Sequence, residues 1–361
     1  MLKKIFNYIN GFWVKIMLKF SNQIALTEII SEALSRYGDN YTHFKLRPKH
    51  ANYFIPSRIK TTTTKGEFAI VLQGLIETRD NYTIETIKLY NMLFPNAILI
   101  VSTWDYEDKK LLNKIKSLNC NVVLSKNIPI CGMDNVNYQL CTSLAGVRKA
   151  KELGAVYVLK SRADLRFYKE FSLEYLKSIL EQFPVGENEF NLKGRIITQA
   201  GNWGQMFLPL WLQDFWYFGY ADDLINLFDI SYDEKNIHRN IDVYKKNGLH
   251  IDGETLTEWP VPEINITKRF IAKYRDSNMS LREWWNFMIN YCFIVDQEDV
   301  NSYWMKYTNH NLSDFYVEYD GQHNFKDAFR HISAVDFLNI LNGKIVFEDW
   351  MEYEKKNYII L

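Results

Sequence analysis

Residues 157–168 read YVLKSRADLRFY, which sets Lys160, Arg162, Asp164 and Arg166 at every second position. In an extended strand that spacing puts all four on one face. The chemistry open to such a row is the handling of an anion. Guanidinium groups grip phosphate oxygens in pairs, and a carboxylate can hold a divalent cation that bridges phosphates. The plain alternative is a solvated ion-pair ladder, worth ~0–1 kcal/mol per exposed pair. A central strand covered on both faces has no solvated side, and unpaired charges buried there are costly. The charges are therefore expected where the strand leaves its sheet, at a ligand edge.

The elements that would position this row alternate in type. Short apolar runs at 68–74 (FAIVLQG), 97–104 (AILIVSTW) and 121–126 (NVVLSK) precede it. Between them lie helical patterns at 81–94 and 107–118, and a third carries Leu140, Leu144, Val147 and Ala150 on one face. Strands alternating with helices predict an α/β fold, a mostly parallel sheet flanked by helices. In such sheets ligands bind beyond the carboxyl ends of the strands.

Those ends carry further polar and aromatic groups. The first closes on Gln73-Gly74, where glycine permits a sharp turn or a close approach. The second closes on Ser102, Thr103, Trp104 and Asp105, where the indole can stack on a base or sugar or cap the sheet. The loop after the third strand supplies Asp134, Asn135, Asn137 and Gln139. Amides there can cap a helix or bind hydroxyls and phosphate oxygens. Neither G-x-G-x-x-G nor G-x-x-x-x-G-K-[ST] occurs.

The chain has 361 residues, net charge zero, 24 % charged and 16 % aromatic residues. No global field draws it to nucleic acid. The length suits one large domain with additions. Cys120, Cys131, Cys141 and Cys292 form no C-x-x-C pair, so neither a disulfide framework nor a zinc site is expected. Residues 1–20 hold four lysines, no acid, and apolar side chains at helical spacing from Ile5 to Phe20. That pattern reads as a membrane-surface helix or as a helix packed on its own domain. No run is long and apolar enough to span a bilayer. The expected layout is a helical segment over 1–55 with Thr27 as a cap, a linker over 56–67, a core domain over 66–270 and an aromatic, helical extension over 271–361.

The ordered series FAIVLQGLI, TIETIKLYNMLFPNAILIVSTW, VVLSKNIP, NVNYQLCTSLAGVRKAKELGAVYVLKSRADLRF resembles the WavE family of lipopolysaccharide synthesis proteins, which look like GT-A-type glycosyltransferases. Weaker echoes are DFWYFGYADDLINLF, WPVPEINI and HISAVDFLN. The resemblance implies a GT-A-like (Rossmann-like) fold and transfer of a sugar from a nucleotide-sugar to a lipid-linked or oligosaccharide acceptor. It places Gln73, Gly74, Asn135, Asn137 and Gln139 beside the donor, and Arg162 and Asp164 where the family type carries D-x-D. Here Arg162 replaces the first acid, which leaves Asp164 as a thin site for Mg or Mn. Arg162 and Arg166 can take over part of a metal's role. Ser102 and Trp104 complete the expected donor cleft. An inverting transfer needs a carboxylate base, and Asp214 and Glu263 are the candidates, with Glu258 beside them. His323 and His331 are further candidate metal ligands. The expected location is cytoplasmic, at the inner-membrane surface through residues 1–20. Two competing readings are a non-catalytic sugar-nucleotide or glycan binder on the same fold, and another nucleotide enzyme such as a phosphotransferase.

Overall fold

The computed structural model describes residues 12–13, 15–19, 22–37, 45–57, 59, 61–200, 209–235, 261–307 and 333–344. The chain divides into two units, Met1–Pro48 and Lys49–Leu361.

In the first unit, residues 12–13 and 15–19 are helical, and α1 spans Gln23–Tyr37. Thr27 is not its cap. The Asn22 side chain accepts from the Ala25 amide at 2.8 Å, while the Thr27 hydroxyl, inside the helix, donates to the Gln23 carbonyl. Phe12, Trp13, Met17 and Leu18 are exposed.

The second unit is built on a seven-stranded sheet. Its early elements are β1 (Phe68–Gln73), α2 (Tyr82–Leu93), β2 (Ile98–Trp104), α3 (Lys109–Lys116), β3 (Asn121–Ser125), α4 (Val136–Glu152), β4 (Tyr157–Arg162), β5 (Leu165–Phe167) and α5 (Ser172–Gln182). Then come β6 (Ile196–Gln199), β7 (Tyr217–Tyr220), α6 (Ala221–Phe228), α7 (Pro262–Ala272), α8 (Leu281–Tyr291), β8 (Cys292–Val295), α9 (Gln297–Val300), β9 (Ser302–Trp304) and α10 (Ala334–Leu341). The strand order is β3-β2-β1-β4-β7-β6-β8, and β5 pairs with β9 in a separate small sheet. Strands β1 to β4 run parallel, β7 is antiparallel to both β4 and β6, and β8 is parallel to β6.

The apolar runs became central strands because helices cover them on both faces. All six residues of β1 are buried, as a doubly covered parallel strand requires. Helix α4 comes unusually close. A Cβ on Gly146 would lie 2.3 Å from Val71 Cγ1 and 2.9 Å from Ser102 Cβ. The wealth of aromatics goes largely to packing, with Trp216, Trp284, Trp285, Tyr90, Phe167 and Phe270 among the fully buried side chains.

Two sequence expectations change here. The run from Ser280 onward, read as helical throughout, leaves its helix at Tyr291, and Cys292–Val295 joins the main sheet as β8. The row of charges is also broken. Strand β4 ends at Arg162, Ala163 and Asp164 form a turn, and Arg166 belongs to β5 in the other sheet.

Candidate active site

β1 pairs with β2 on one side and β4 on the other, so the crevice for a ligand opens at the carboxyl ends of β1 and β4. The main chain ties these ends together. The Gly74 amide donates to the Ser102 carbonyl, and the Ala163 amide to the Gln73 carbonyl, each at 3.0 Å. Gly74 turns the chain at φ +99°, with no atom within 4 Å of a Cβ placed there, so its outer side is open. Glu107 binds the loops after β1 and β2 to each other. Its Oε1 accepts from the Ile76 amide and the Thr103 hydroxyl, both at 2.9 Å.

At the end of β4, Arg162 and Asp164 form a two-point ion pair, Nε to Oδ1 at 2.9 Å and Nη2 to Oδ2 at 3.3 Å. The Arg162 guanidinium lies 4.7 Å from the centroid of the Trp304 ring. Burial would raise the Asp164 carboxyl, but the charge and hydrogen bonds of Arg162, with Lys306 nearby, hold it below the usual carboxylate range. The Arg79 and Glu77 charges also reach Asp164 from the loop after β1.

Other expected donor contacts fall into two groups. Gln73, Gly74, Trp104, Asn135 and Gln139 lie at the ends of β1 and β2 or at the start of α4. Gln73 is buried, and its Oε1 accepts from the Thr142 hydroxyl at 2.8 Å. Trp104 is buried too, with Tyr138 edge-on at 5.2 Å and the more exposed Tyr106 parallel to it at 6.1 Å. Asn135 is exposed, holds a left-handed φ of +67°, and makes no side-chain cap. The Gln139 Nε2 is buried and has no hydrogen-bond partner among the described residues.

Ser102, Asn137 and Arg166, by contrast, are consumed by packing. Ser102 is fully buried and donates to the Thr142 carbonyl at 2.6 Å. Asn137 knots the loop before α4. Its amide donates to the carbonyls of Ile130 and Asp233 and accepts from the Asp233 amide at 2.7 Å. Arg166, expected at the phosphates, is fully buried. Its guanidinium donates to the Thr86 hydroxyl, the Lys49 and Tyr82 carbonyls and the Tyr168 hydroxyl, at 2.8 to 3.0 Å. The Tyr82 ring lies 4.2 Å away. The turn at Ala163–Asp164 explains the change, because residues beyond it no longer follow the alternation of β4.

Asp214, in the segment before β7, is buried; Glu263 sits in the first turn of α7. Both charges act on Lys160, whose ammonium donates to the Asp214 main-chain oxygen at 3.3 Å. Glu258, His323 and His331 lie outside the described residues. Sequence reasoning gave no role to Lys160, Glu107 or Trp304. Lys160 stood in the charged row, but nothing in its spacing separated it from the arginines. Glu107 read as a helix start and Trp304 as part of a helical tail.

Among the described residues, no group of three or more His, Cys, Asp or Glu is placed to hold a metal ion. The Asp164 carboxylate already faces a guanidinium. The described residues do not fit a Mg or Mn site.

The model of the WavE family, described as WavE lipopolysaccharide synthesis, matches residues 68–313. This chain belongs to the WavE family. The match spans β1 through β9, and therefore every strand end discussed above. No curated protein matches this WavE chain. Among solved structures, mouse xyloside xylosyltransferase 1 in its apo form is similar at 9 % identity, covering 73 % of this chain and 94 % of that one, with a TM-score of 0.35. A provisionally assigned glucose-1-phosphate thymidylyltransferase from Bacillus anthracis, in complex with a sucrose, is similar at 10 % identity over 59 % of this chain and 97 % of that one, TM-score 0.29. A mannose-1-phosphate geranyltransferase from Thermus thermophilus is similar at 12 % identity over 45 % of this chain and 53 % of that one, TM-score 0.24. Likeness at this level says nothing of the WavE chain's chemistry.

Proposed function

We propose that this WavE-family chain is a glycosyltransferase that moves a sugar from a nucleotide-sugar to a growing bacterial surface glycan, in lipopolysaccharide or capsule. The observation that carries the reading is the position of Arg162 and Asp164 at the carboxyl end of β4, beside Gln73 and Gly74 of β1. A nucleotide-sugar must be held by its base and its diphosphate, and the leaving diphosphate gains negative charge. Arg162 is the group at the strand ends suited to meet that charge. Gln139, with an unused buried amide, and the aromatic pair Trp104 and Tyr106 are suited to the base or sugar. Asp214 and Glu263 remain the two candidates to take the acceptor's proton if the reaction inverts.

The surface-glycan role also calls for a place at the membrane. Among the described residues no helix is long and apolar enough to cross one. Phe12, Trp13, Met17 and Leu18 are exposed on the N-terminal helix beside Lys15 and Lys19. Such a helix suits the cytoplasmic face of the inner membrane, where a lipid-linked acceptor is built.

A second reading has one observation in its favour. With the Asp164 carboxylate already held by Arg162, a protein of this fold can bind a nucleotide-sugar without turning it over. One experiment separates the two. The protein is incubated with UDP-, GDP-, CMP- and dTDP-sugars, with Mg or Mn and with chelator, and scored for melting-temperature shift and donor hydrolysis. A shift and turnover with one donor class support the transferase. A shift without turnover on any acceptor leaves the binding protein, and no shift with any donor ends both readings.

A further inference from the structure

Lys160 has no part in the reading above, yet its side chain is wholly buried on the central strand β4. Its register neighbours are Val71 on β1 and Tyr217 on β7. An ammonium taken out of water is unfavourable unless acceptors replace the water. It has three N–H donors, and its hydrogen bond, to the Asp214 carbonyl at 3.3 Å, is long. The rings of Tyr217 and Phe228 lie 5.4 and 5.6 Å from Nζ, near enough for a cation–π attraction. A methionine would fill much of the same space without a charge to desolvate. Packing does not account for a lysine here.

The surrounding charges do. Asp214, Asp164 and Glu263 favour the ammonium, and Arg162 opposes it. They come from the segment before β7, the turn after β4, the first turn of α7 and the end of β4. Each belongs to the candidate site, and Lys160 is the buried charge that senses all of them. Arg162 is a poorer anchor for Asp214 and Glu263, because Asp164 holds both ends of its guanidinium fork. Tyr217 also faces the ammonium, but burial raises its hydroxyl well above 10, so it stays neutral.

We propose that Lys160 is a positioning residue of this site: its ammonium holds the Asp214 segment against β4 and keeps the carboxylates of Asp214, Asp164 and Glu263 gathered at the strand's carboxyl end. What the gathered site does rests on the transferase reading; the gathering itself does not. A neutral amine still donates a hydrogen bond but loses its attraction to the three carboxylates. Burial outweighs that attraction and pushes the ammonium down to about 7, so below neutrality the site holds its charge at a cost in stability.

The test is hydrogen exchange of the segment around Asp214 at about pH 6, where Lys160 is charged, in the wild type, Lys160→Met and Lys160→Gln. Both variants are expected to lose about tenfold in protection of that segment while β1 keeps its protection, with donor turnover reduced about thirtyfold and the donor KM little changed. A segment as protected in either variant as in the wild type overturns the proposal. Lys160→Gln keeps a hydrogen-bond donor without the charge and decides the matter where Lys160→Met fails to fold. Loss of protection in a protein that turns over no nucleotide-sugar keeps the positioning role and removes the transferase reading. Turnover with a segment indifferent to both variants does the reverse.

Discussion

Arg162 and Asp164 close on each other through two hydrogen bonds across the turn that ends β4. The pair stands where related folds are expected to gather a cation, and it is neutral as a unit. Arg162 packs on Trp304 from β9, so the pair is held from the small sheet as well as from β4. In the proposed transfer an incoming phosphate competes with Asp164 for the guanidinium, which gives Asp164 the part of a gate on Arg162.

Asp164→Ala is therefore expected to abolish transfer while leaving the fold intact, by freeing Arg162 to bind phosphate in unproductive poses. Melting temperature with and without nucleotide, together with turnover, checks this. An active Asp164→Ala protein would remove Asp164 from the site. The pair also has an acid signature. A carboxyl held below its ordinary range contributes stability above about pH 4, and that stability is lost as pH falls through the lowered value. Asp164→Asn should flatten the acid limb of the stability curve in a denaturant titration.

Arg166 predicts the opposite pattern. Four hydrogen bonds among the described residues tie β5 to α2, to the Lys49 carbonyl and to Tyr168. Arg166→Met leaves those acceptors without their donor and is expected to cost about 3–5 kcal/mol. Nucleotide affinity per folded molecule should not change. Urea melts and nucleotide titration on the same sample separate the two effects.

The contrast between Arg162 and Arg166 shows how far the sequence could be read. The βα alternation placed β1 to β3, α2 and α3 within a residue or two, because doubly covered strands must be apolar runs. Strict alternation failed after Arg162 because two residues of turn reset the face on which each side chain lies, and no Gly or Pro announced it. The role of Lys160 was not legible because its partners come from residues 164, 214 and 263, which only the folded sheet brings together. Ser102 and Asn137 have the right chemistry for a ligand but satisfy the backbone instead, a choice that spacing cannot reveal.

Gly146 tests the closeness of α4 to the sheet. An alanine methyl there meets Val71 Cγ1 at 2.3 Å, so α4 must back away from β1 and β2. Gly146→Ala is expected to cost about 1–3 kcal/mol as overpacking. It should also weaken nucleotide binding, because the same helix carries Gln139 and holds Gln73 through Thr142. Gly74→Ala meets no atom, and its cost is the left-handed φ of +99°, about 1 kcal/mol. Paired thermal melts of the two variants check that order.

Lys160→Met separates stability from activity most sharply. Burial lowers the ammonium's pKa even against three favourable carboxylates, so desolvation outweighs their attraction. The charged form is then the less stable one in the folded chain. Unfolded lysine keeps its ordinary value of about 10.4, so between about pH 7 and pH 10 the unfolded chain holds the extra proton. Wild-type stability from this group accordingly rises with pH over that window and is flat below it. Removing the charge should raise stability by about 1–4 kcal/mol at neutral pH and below. The gain should shrink as the pH rises toward 10 and vanish above the unfolded value, where wild-type Lys160 is neutral in both states. Urea melts at several pH values check the slope. A lysine kept only for packing would show a pH-independent loss on replacement, whereas a variant both more stable and less active marks a charge held at the expense of the fold.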